Sequence, residues 1–259
     1  MPRMLILVGV LLISSDAVAQ TRDLDRGRKI IDQAIQALGG QAYLNVRDYR
    51  GEGTAYSFTR FEELSGRAPL VNYERYPDKF RQEIGKKHDA IYVVNGDQGW
   101  DANYKGVAKM ADTEVERIRF GRSLSVDTIL RFRLKEPGIA LTYTGTDFID
   151  GRLVERVEFA DADNNLVTIS FDHLSHLPLR REWERPLPNH EREQNVETLS
   201  KYLAAKNSSV LFAYYVRRER NGIKIFEAFF NAIEVGKAPE PLFERPPGKE
   251  RIDVPSRKK

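Results

Sequence analysis

Alternation of apolar and polar residues, repeated in many short segments, is the feature that most restricts the fold of this chain. It is clearest over 153–159 and 167–171, where alternate positions are mostly apolar and Asn164-Asn165 lies between the two segments. Asn95-Gly96 and Asn221-Gly222 indicate two further tight hairpins. Because hairpins join antiparallel neighbours, the pattern predicts an antiparallel sheet.

The full pattern predicts about ten or eleven strands. A single antiparallel sheet with that many strands must curl or split. The predicted segments are 48–58, 69–76, 79–85, 90–94, 98–104, 153–159, 167–171, 177–185, 194–203, 208–219 and 223–235. The last of these is apolar on both sides, with Ile225, Phe229 and Ile233 on one face and Phe226 and Phe230 on the other.

Helical spacing occurs in two places. Near the N-terminus, Asp23 is a candidate cap for a helix with apolar residues from Ile30 to Leu38, and Gly39-Gly40 would end it. Between Asp112 and Lys135 the spacing predicts two more helices. We therefore predict an α+β, mainly antiparallel fold. It is an open, incomplete β-barrel, or strongly curved sheet, with an N-terminal helix and a central helical pair covering the concave face.

The first nineteen residues predict export. Arg3 precedes an apolar run over 4–13, and Ala17-Val18-Ala19 has the small-x-small pattern of a cleavage site, so 1–19 reads as a cleavable signal peptide. The apolar run is shorter than the roughly 20 residues of a membrane-spanning helix. The chain has no cysteine that could carry a lipid anchor or a disulfide. We expect a soluble periplasmic protein, with one domain over 20–247 and a flexible basic tail over 248–259.

Charge and composition limit the classes of partner that the protein can bind. The chain has 41 Lys and Arg residues against 38 Asp and Glu residues, and its net charge of +3 is spread along the sequence. Interspersed charges of this kind argue against a nucleic-acid footprint. The sequence predicts no cofactor, and we expect a monomer.

The sequence contains few signs of a catalytic site. Neither a Gly-x-Ser-x-Gly elbow nor a P-loop nor a dinucleotide fingerprint occurs. Asp172, His173 and His176 could in principle meet a metal, although a polar turn explains them better. Carboxylate pairs such as Glu62-Glu63, or Asp161 with Asp163, would act as glycosidase acids only across a cleft. We predict no catalytic residues and no enzyme.

Large apolar side chains remain to be explained. A curved sheet covered by a helical pair can enclose a dry cavity, and such a cavity suits lipid-like ligands. The residues predicted to line it are Val93, Trp100, Phe159, Ile169, Phe171, Trp183, Phe212 and Phe229. The residues predicted to form a lid over it are Val126, Ile129, Leu130 and Leu134.

Five short motifs, taken in order, resemble the outer-membrane lipoprotein-sorting, LolA-like superfamily of periplasmic proteins. The resemblance covers about residues 23–247. The motifs are Ala37-Leu38-Gly39-Gly40, Tyr76-Pro77-Asp78-Lys79-Phe80-Arg81, Asn95-Gly96-x-x-Gly99-Trp100, Phe171-Asp172 with Leu177-Pro178-Leu179-Arg180, and Pro241-Leu242-Phe243-Glu244-Arg245-Pro246.

The resemblance implies a LolA-like half-barrel with a helical lid over an apolar cavity. It also implies a role in outer-membrane biogenesis, as a carrier or binder of the acyl chains of lipoproteins or of lipid. Inner- and outer-membrane proteins would be its donor and acceptor. One alternative is an envelope sensor that uses the same cavity to recognise a lipid or protein partner without transport. An unrecognised hydrolase is the least favoured interpretation.

Overall fold

A computed structural model of the chain describes residues 15–87 and 89–251, with side chains described from residue 23 onward. Most of the predicted signal peptide, residues 1–14, lies outside the described residues. Within the described part, no helix is both long enough and apolar enough to cross a membrane.

The described residues form one thirteen-stranded antiparallel sheet and a few helices. The helices are α1 (Ser15–Leu38), α2 (Gln41–Leu44), α3 (Asp112–Ser123) and α4 (Val126–Phe132), with 3-10 turns at Arg133–Lys135 and Glu240–Phe243. The strands are β1 (Asp48–Phe58), β2 (Leu64–Arg75), β3 (Lys79–Ile84), β4 (Ala90–Asn95), β5 (Gln98–Asn103), β6 (Gly106–Lys109), β7 (Ala140–Ile149), β8 (Arg152–Ala160), β9 (Leu166–Asp172), β10 (Pro178–Pro186), β11 (Arg192–Ala204), β12 (Leu211–Arg220) and β13 (Ile223–Val235).

Two meanders make up the sheet, and the pairing of β1 with β13 joins them. The strand order is β6-β5-β4-β3-β2-β1-β13-β12-β11-β10-β9-β8-β7, so the sheet is open and its two edge strands are β6 and β7. These edge strands are consecutive in the chain. The segment between them, which contains α3 and α4, must therefore cross one face of the sheet.

Contacts at the end of α3 show that the sheet curves around this segment. The carbonyl oxygen of Gly121 accepts a hydrogen bond from Arg181 of β10, and the next residue, Arg122, is paired with Glu74 of β2. In a flat sheet β2 and β10 would lie about 24 Å apart, because five strand spacings separate them. Two adjacent helical residues can contact both strands only if the face that carries the helices is concave.

Helix α1 closes one half of the concave face. Its buried residues Ile30, Ile31, Ala34 and Leu38 belong to the largest apolar cluster, which also includes side chains of α4 and of β7–β9. The helix already includes residues from Ser15, so Asp23 lies inside it and the predicted cap at that residue is wrong.

Thirteen strands replace the predicted ten or eleven. The two strands that the sequence pattern misses are β6 and β7, the two edges of the sheet. Edge strands have a neighbour on one side only and bury fewer side chains; most of β7 is exposed or half-buried. The alternation that reveals a central strand is therefore weak in these two strands.

A bulge in β13 changes which of its residues share a face. The β1–β13 register shifts between Glu52 and Gly53, leaving Asn231 without a partner. Phe230 and Ile233 consequently both pack in the main apolar cluster, although they are three residues apart. The sequence prediction placed them on opposite faces because it assumed uninterrupted alternation.

The C-terminal segment covers the convex face and one edge. Phe243 is fully buried in a cluster with side chains of β2, β4 and β5. Farther on, Val107 of β6 donates a backbone hydrogen bond to Lys249 and accepts one from Arg251. Residues 249–251, which the sequence analysis assigned to the flexible tail, thus pair with the edge strand, and 252–259 lie outside the described residues.

Gly27 lets α1 approach β7 closely, and this contact gives a prediction. A Cβ atom at residue 27 would lie 2.5 Å from the carbonyl oxygen of Leu141. We expect Gly27→Ala to lower the free energy of unfolding by about 1 to 3 kcal/mol through overpacking, measured by urea denaturation.

Gly121→Ala is the matched control, because Gly121 is also helical but a Cβ there would lie 3.7 Å from Trp183. This is an ordinary contact, so the helix propensity of alanine should leave stability unchanged or raise it by up to about 1 kcal/mol. Equal effects of the two substitutions would contradict the close packing of α1 on β7.

Candidate ligand-binding cavity

The structure packs most of the predicted cavity residues and the predicted lid against each other. Ile129 and Leu130 of α4 lie in the same apolar cluster as the strand residues below them, whereas Val126 and Phe212 also border a small cavity of about 130 Å³. Leu134 packs at the edge of this cluster. Four of the eight residues predicted to line a cavity belong to this cluster, and each is at most 6% exposed. They are Phe159, Ile169, Phe171 and Phe212.

Three other predicted residues lie on the opposite, convex face. Val93 and Trp100 pair across β4 and β5 and pack with Phe243 of the C-terminal segment. Phe229 contacts Tyr215, with ring centroids 4.6 Å apart, on the face away from the main cluster. The structure therefore does not bring the eight predicted residues together, and Trp183 alone of them lines the larger cavity described below.

A buried ionic group anchors helix α4 in the core. The hydroxyls of Tyr43 and Tyr76 each donate a 2.8 Å hydrogen bond to Asp127. Arg131, whose side chain is fully buried, lies 3.2 Å from the same carboxylate and 4.1 Å from the ring centroid of Tyr43. Burial by itself would lower the pKa of Arg131, but Asp127 offsets this and raises it. These contacts fix α4 in the core, so the predicted lid residues Val126, Ile129 and Leu130 are core residues.

Helix α3, in contrast, covers an open space. A cavity of about 960 Å³ lies between α3 and the half of the concave face that α1 leaves uncovered. Its volume is at the upper end of the range for small-molecule sites, roughly 300–1,000 Å³. One wall, formed by α3 and by strands of the first meander (β1–β6), carries the apolar residues Phe80, Ile84, Met110 and Ile118, and we call it the apolar wall. Charged residues such as Arg67, Glu114 and Arg117 also lie on it.

The opposite wall is cationic and lies on β10, β11 and β12. It contains two groups in which a glutamate of β11 lies between an arginine of β10 and an arginine of β12. We call these the inner triad and the outer triad. The inner triad is Arg181, Glu197 and Arg218, and the outer triad is Arg185, Glu193 and Arg220.

In the inner triad the carboxylate is held between two guanidinium groups. Arg181 Nε donates to Glu197 Oε1 at 2.9 Å, and Arg218 Nε donates to Oε2 at 2.7 Å. Burial alone would raise the pKa of Glu197, but the two arginines outweigh it and lower the pKa to about 2. Arg181 is buried and also lies 4.1 Å from the ring centroid of Trp183, whereas the side chain of Arg218 is 47% exposed.

The outer triad has the same arrangement nearer the ends of the strands. Arg185 Nε lies 3.2 Å from Glu193 Oε1, and Arg220 Nε lies 3.4 Å from Oε2. Burial raises the pKa of Glu193, and the hydrogen bond from Arg185 and the charge of Arg220 lower it, with a net lowering. Because Arg220 is the last residue of β12 and Glu193 the second of β11, this triad is at the mouth of the cavity.

Behind the inner triad lies a second cavity of about 130 Å³. The two cavities share six lining residues, which are Glu74, Gln82, Arg122, Arg181, Arg218 and Phe226. Burial raises the pKa of Glu74, and its partner Arg122 offsets this only in part. A layer composed mainly of ionic groups thus lies between the large cavity and the smaller one, which Phe212 lines.

The candidate metal and acid residues have local structural roles. Asp172 accepts hydrogen bonds from the backbone amides of Leu174 and Ser175, which fixes the turn that contains both candidate histidines. Asp161 likewise accepts from the amides of Asp163 and Asn165. In residues 15–87 and 89–251, no group of three or more His, Asp or Glu side chains is arranged to hold a metal ion.

Sequence analysis missed the six residues of the triads. A signal was present, because Arg181 and Arg185, Glu193 and Glu197, and Arg218 and Arg220 each occupy same-face positions on their strand. Opposite charges thus recur at matching positions on three consecutive strands. The same pattern also occurs on solvated sheets, and the sequence analysis noted only that charges are spread along the sequence.

The inner triad predicts a specific effect on stability. Glu197→Gln leaves Arg181 buried beside a second arginine without a counter-charge, so we expect the free energy of unfolding at pH 7 to fall by about 3 kcal/mol. Because the folded-state pKa of about 2 lies below the ordinary value of 4.5, the glutamate stabilises the fold fully above pH 4.5. The difference between the two proteins should shrink as the pH falls from 4.5 towards 2, as measured by urea denaturation.

Glu184→Gln is the control for this experiment. Glu184 pairs with Arg192 at 3.1 Å on the surface, where both side chains are exposed. An exposed pair of this kind contributes at most about 1 kcal/mol. A Glu197→Gln protein that matches this control at pH 7 would mean that the inner triad does not stabilise the fold.

Comparison with known proteins identifies the fold. No protein-family model matches the sequence, and no curated protein sequence matches it. A DUF1329 family protein from Desulfovibrio piger is similar in structure, with a TM-score of 0.59 at 11% identity over 86% of this chain and 97% of that chain.

Two further solved structures are similar. A LolA superfamily protein from Nitrosomonas europaea has a TM-score of 0.54 at 8% identity over 85% of this chain and 97% of that chain. An outer-membrane lipoprotein-sorting protein domain from Vibrio parahaemolyticus has a TM-score of 0.53 at 11% identity over 84% of this chain and 95% of that chain. The open, curved thirteen-stranded sheet described above therefore has a LolA-like fold.

Proposed function

We propose that this protein binds acylated ligands, either lipoprotein acyl chains or lipid, in the cavity beneath α3, and carries them through the periplasm. The single observation that supports this most is the cavity of about 960 Å³ between α3 and the curved sheet. The similarity in fold to a lipoprotein-sorting protein domain and to a LolA superfamily protein points to the same class of ligand.

The physical need for a carrier follows from the hydrophobic effect. Each methylene group removed from water contributes about 0.8 kcal/mol, so exposing one long acyl chain to water costs roughly 10 kcal/mol of free energy. A protein that moves such a chain must enclose it without a covalent bond. The proposal accordingly includes no catalytic step.

The apolar wall of the cavity suits an acyl chain. Phe80 and Ile84 of β3 and Ile118 of α3 supply side chains without polar atoms along this wall. Val115 anchors α3 through a small cluster with Val94 and Met110. We infer that movement of α3, rather than of the firmly anchored α4, admits and releases the ligand.

Export is part of the proposal. The predicted signal peptide over 1–19, with its cleavage pattern Ala17-Val18-Ala19, would deliver the domain to the periplasm. A carrier between two membranes has to work in that compartment.

Retention of ligand tests the proposal. We expect native mass spectrometry of the protein, isolated from its own cell envelope, to show bound long-chain lipid. Replacing the small cavity residue Ala68 by tryptophan fills part of the space, so Ala68→Trp should retain much less lipid and take up less of a hydrophobic fluorescent probe.

Leu64→Trp is the matched control, because Leu64 is on the same strand but is 59% exposed. It should retain lipid as the unsubstituted protein does, and both variants should keep their melting temperature. Ligand-free protein that also fails to bind the hydrophobic probe would contradict the proposed function.

A further inference from the structure

We propose that the ligand carries an anionic group and that the arginines of the two triads bind this group, with the acyl chain lying on the opposite, apolar wall. This inference rests on the proposed function, since it specifies the class of amphiphile that the same cavity takes. The shared chemistry is a phosphate or carboxylate attached to a long alkyl chain.

The first argument is the charge balance of the cationic wall. Each triad has two guanidinium groups and one carboxylate, so each leaves one positive charge uncompensated by its own members. The ionic pair between Glu74 and Arg122 at the cavity floor, by comparison, is balanced. Overall, eight basic and five acidic side chains line the cavity, and Glu197, which lines the smaller cavity behind it, brings the acidic side chains to six.

The second argument is the unused hydrogen-bonding capacity of Arg218. A guanidinium group has five N–H donors, and among the described residues Arg218 donates one hydrogen bond, from Nε to Glu197. Its side chain is 47% exposed although it lines both the large and the small cavity. The exposed part of the guanidinium group therefore faces the cavity, where it can bind the two oxygens of a phosphate or carboxylate.

The third argument is the arrangement of the walls. The triads lie on β10–β12, whereas the apolar residues Phe80, Ile84 and Ile118 lie on β3 and α3 across the cavity. The residues Arg181 and Arg185 are four positions apart on β10, which corresponds to about 13 Å along an extended strand. The positive charge thus extends from the floor to the mouth and offers the head group a continuous path.

The test compares probes that share a dodecyl chain. Dodecyl phosphate carries the anionic group and dodecyl maltoside carries an uncharged one, and inorganic phosphate provides the anion without a chain. By titration calorimetry below the micelle concentrations, we expect dodecyl phosphate to bind at least tenfold more tightly than dodecyl maltoside. Inorganic phosphate should compete only weakly, and added salt should weaken the binding of dodecyl phosphate alone.

The informative variant is the double substitution Arg218→Gln/Arg220→Gln. It removes one arginine from each triad and leaves Glu197 paired with Arg181 and Glu193 paired with Arg185. Each lost charged hydrogen bond corresponds to about a tenfold loss of affinity, so dodecyl phosphate should bind roughly 100-fold more weakly. The affinity for dodecyl maltoside should not change.

The control is Arg180→Gln/Arg192→Gln, which changes the net charge equally. These residues lie on β10 and β11, pair with Glu182 and Glu184, and neither they nor their partners line the cavity. The control should bind all probes like the unsubstituted protein, and the melting temperatures of both double variants should confirm that they fold.

The outcomes separate this inference from the proposed function. Equal binding of the two dodecyl probes, or an unchanged affinity of the cavity variant for dodecyl phosphate, would overturn the anionic site and leave the acyl-binding function standing. If inorganic phosphate bound as tightly as dodecyl phosphate, the ligand of the triads would be a free anion and the proposed amphiphile would be wrong. Failure of both dodecyl probes to bind would reject the proposed function and the inference together.

Discussion

The structure depends on one topological constraint, which is that the two edge strands of the sheet follow each other in the chain. Since β6 and β7 lie at opposite ends of the thirteen-stranded order, the chain between them has to cross the sheet. The open sheet curves around this crossing segment, and α3 and α4 are consequently enclosed on its concave side. A cavity can form beneath α3 because this helix is held near its two ends, by Val115 and by Gly121 and Arg122, rather than packed along its whole length.

The two halves of the concave face are covered by different kinds of side chain. Beneath α1 and α4, apolar side chains such as Phe159, Ile169 and Ile129 pack into one cluster, and the cavity beside it, of about 130 Å³, is far smaller than the cavity beneath α3. Beneath α3, arginines and glutamates occupy the sheet instead, and long charged side chains pair with one another rather than with apolar neighbours. Charged groups resist complete removal from water. This difference gives a physical reason for a packed half and an open half.

Local features of the fold could be predicted from sequence because they depend on neighbouring residues. The Asn221-Gly222 hairpin occurs at the predicted residues, since both adopt the positive φ that such a turn requires. The other predicted hairpin forms one residue farther on, because Asn95 pairs with Gln98 and leaves Gly96-Asp97 as the loop. The edge strands β6 and β7 escaped prediction because a half-buried strand gives little alternation. The bulge at Asn231 escaped as well, because it depends on the register with β1.

The sequence by itself determined that the chain forms a curved antiparallel sheet with helices against it, because periodicity and turn residues act within a few positions. Only the tertiary structure decided which residues could meet a ligand. Phe159 and Val93 are equally apolar in the sequence, yet one packs in the core and the other lies on the convex face. In the sequence, Arg218 looks like any other arginine of a strand. It faces a cavity only because the sheet curves and α3 lies over it, and the curvature and the position of α3 depend on contacts between residues far apart in the chain.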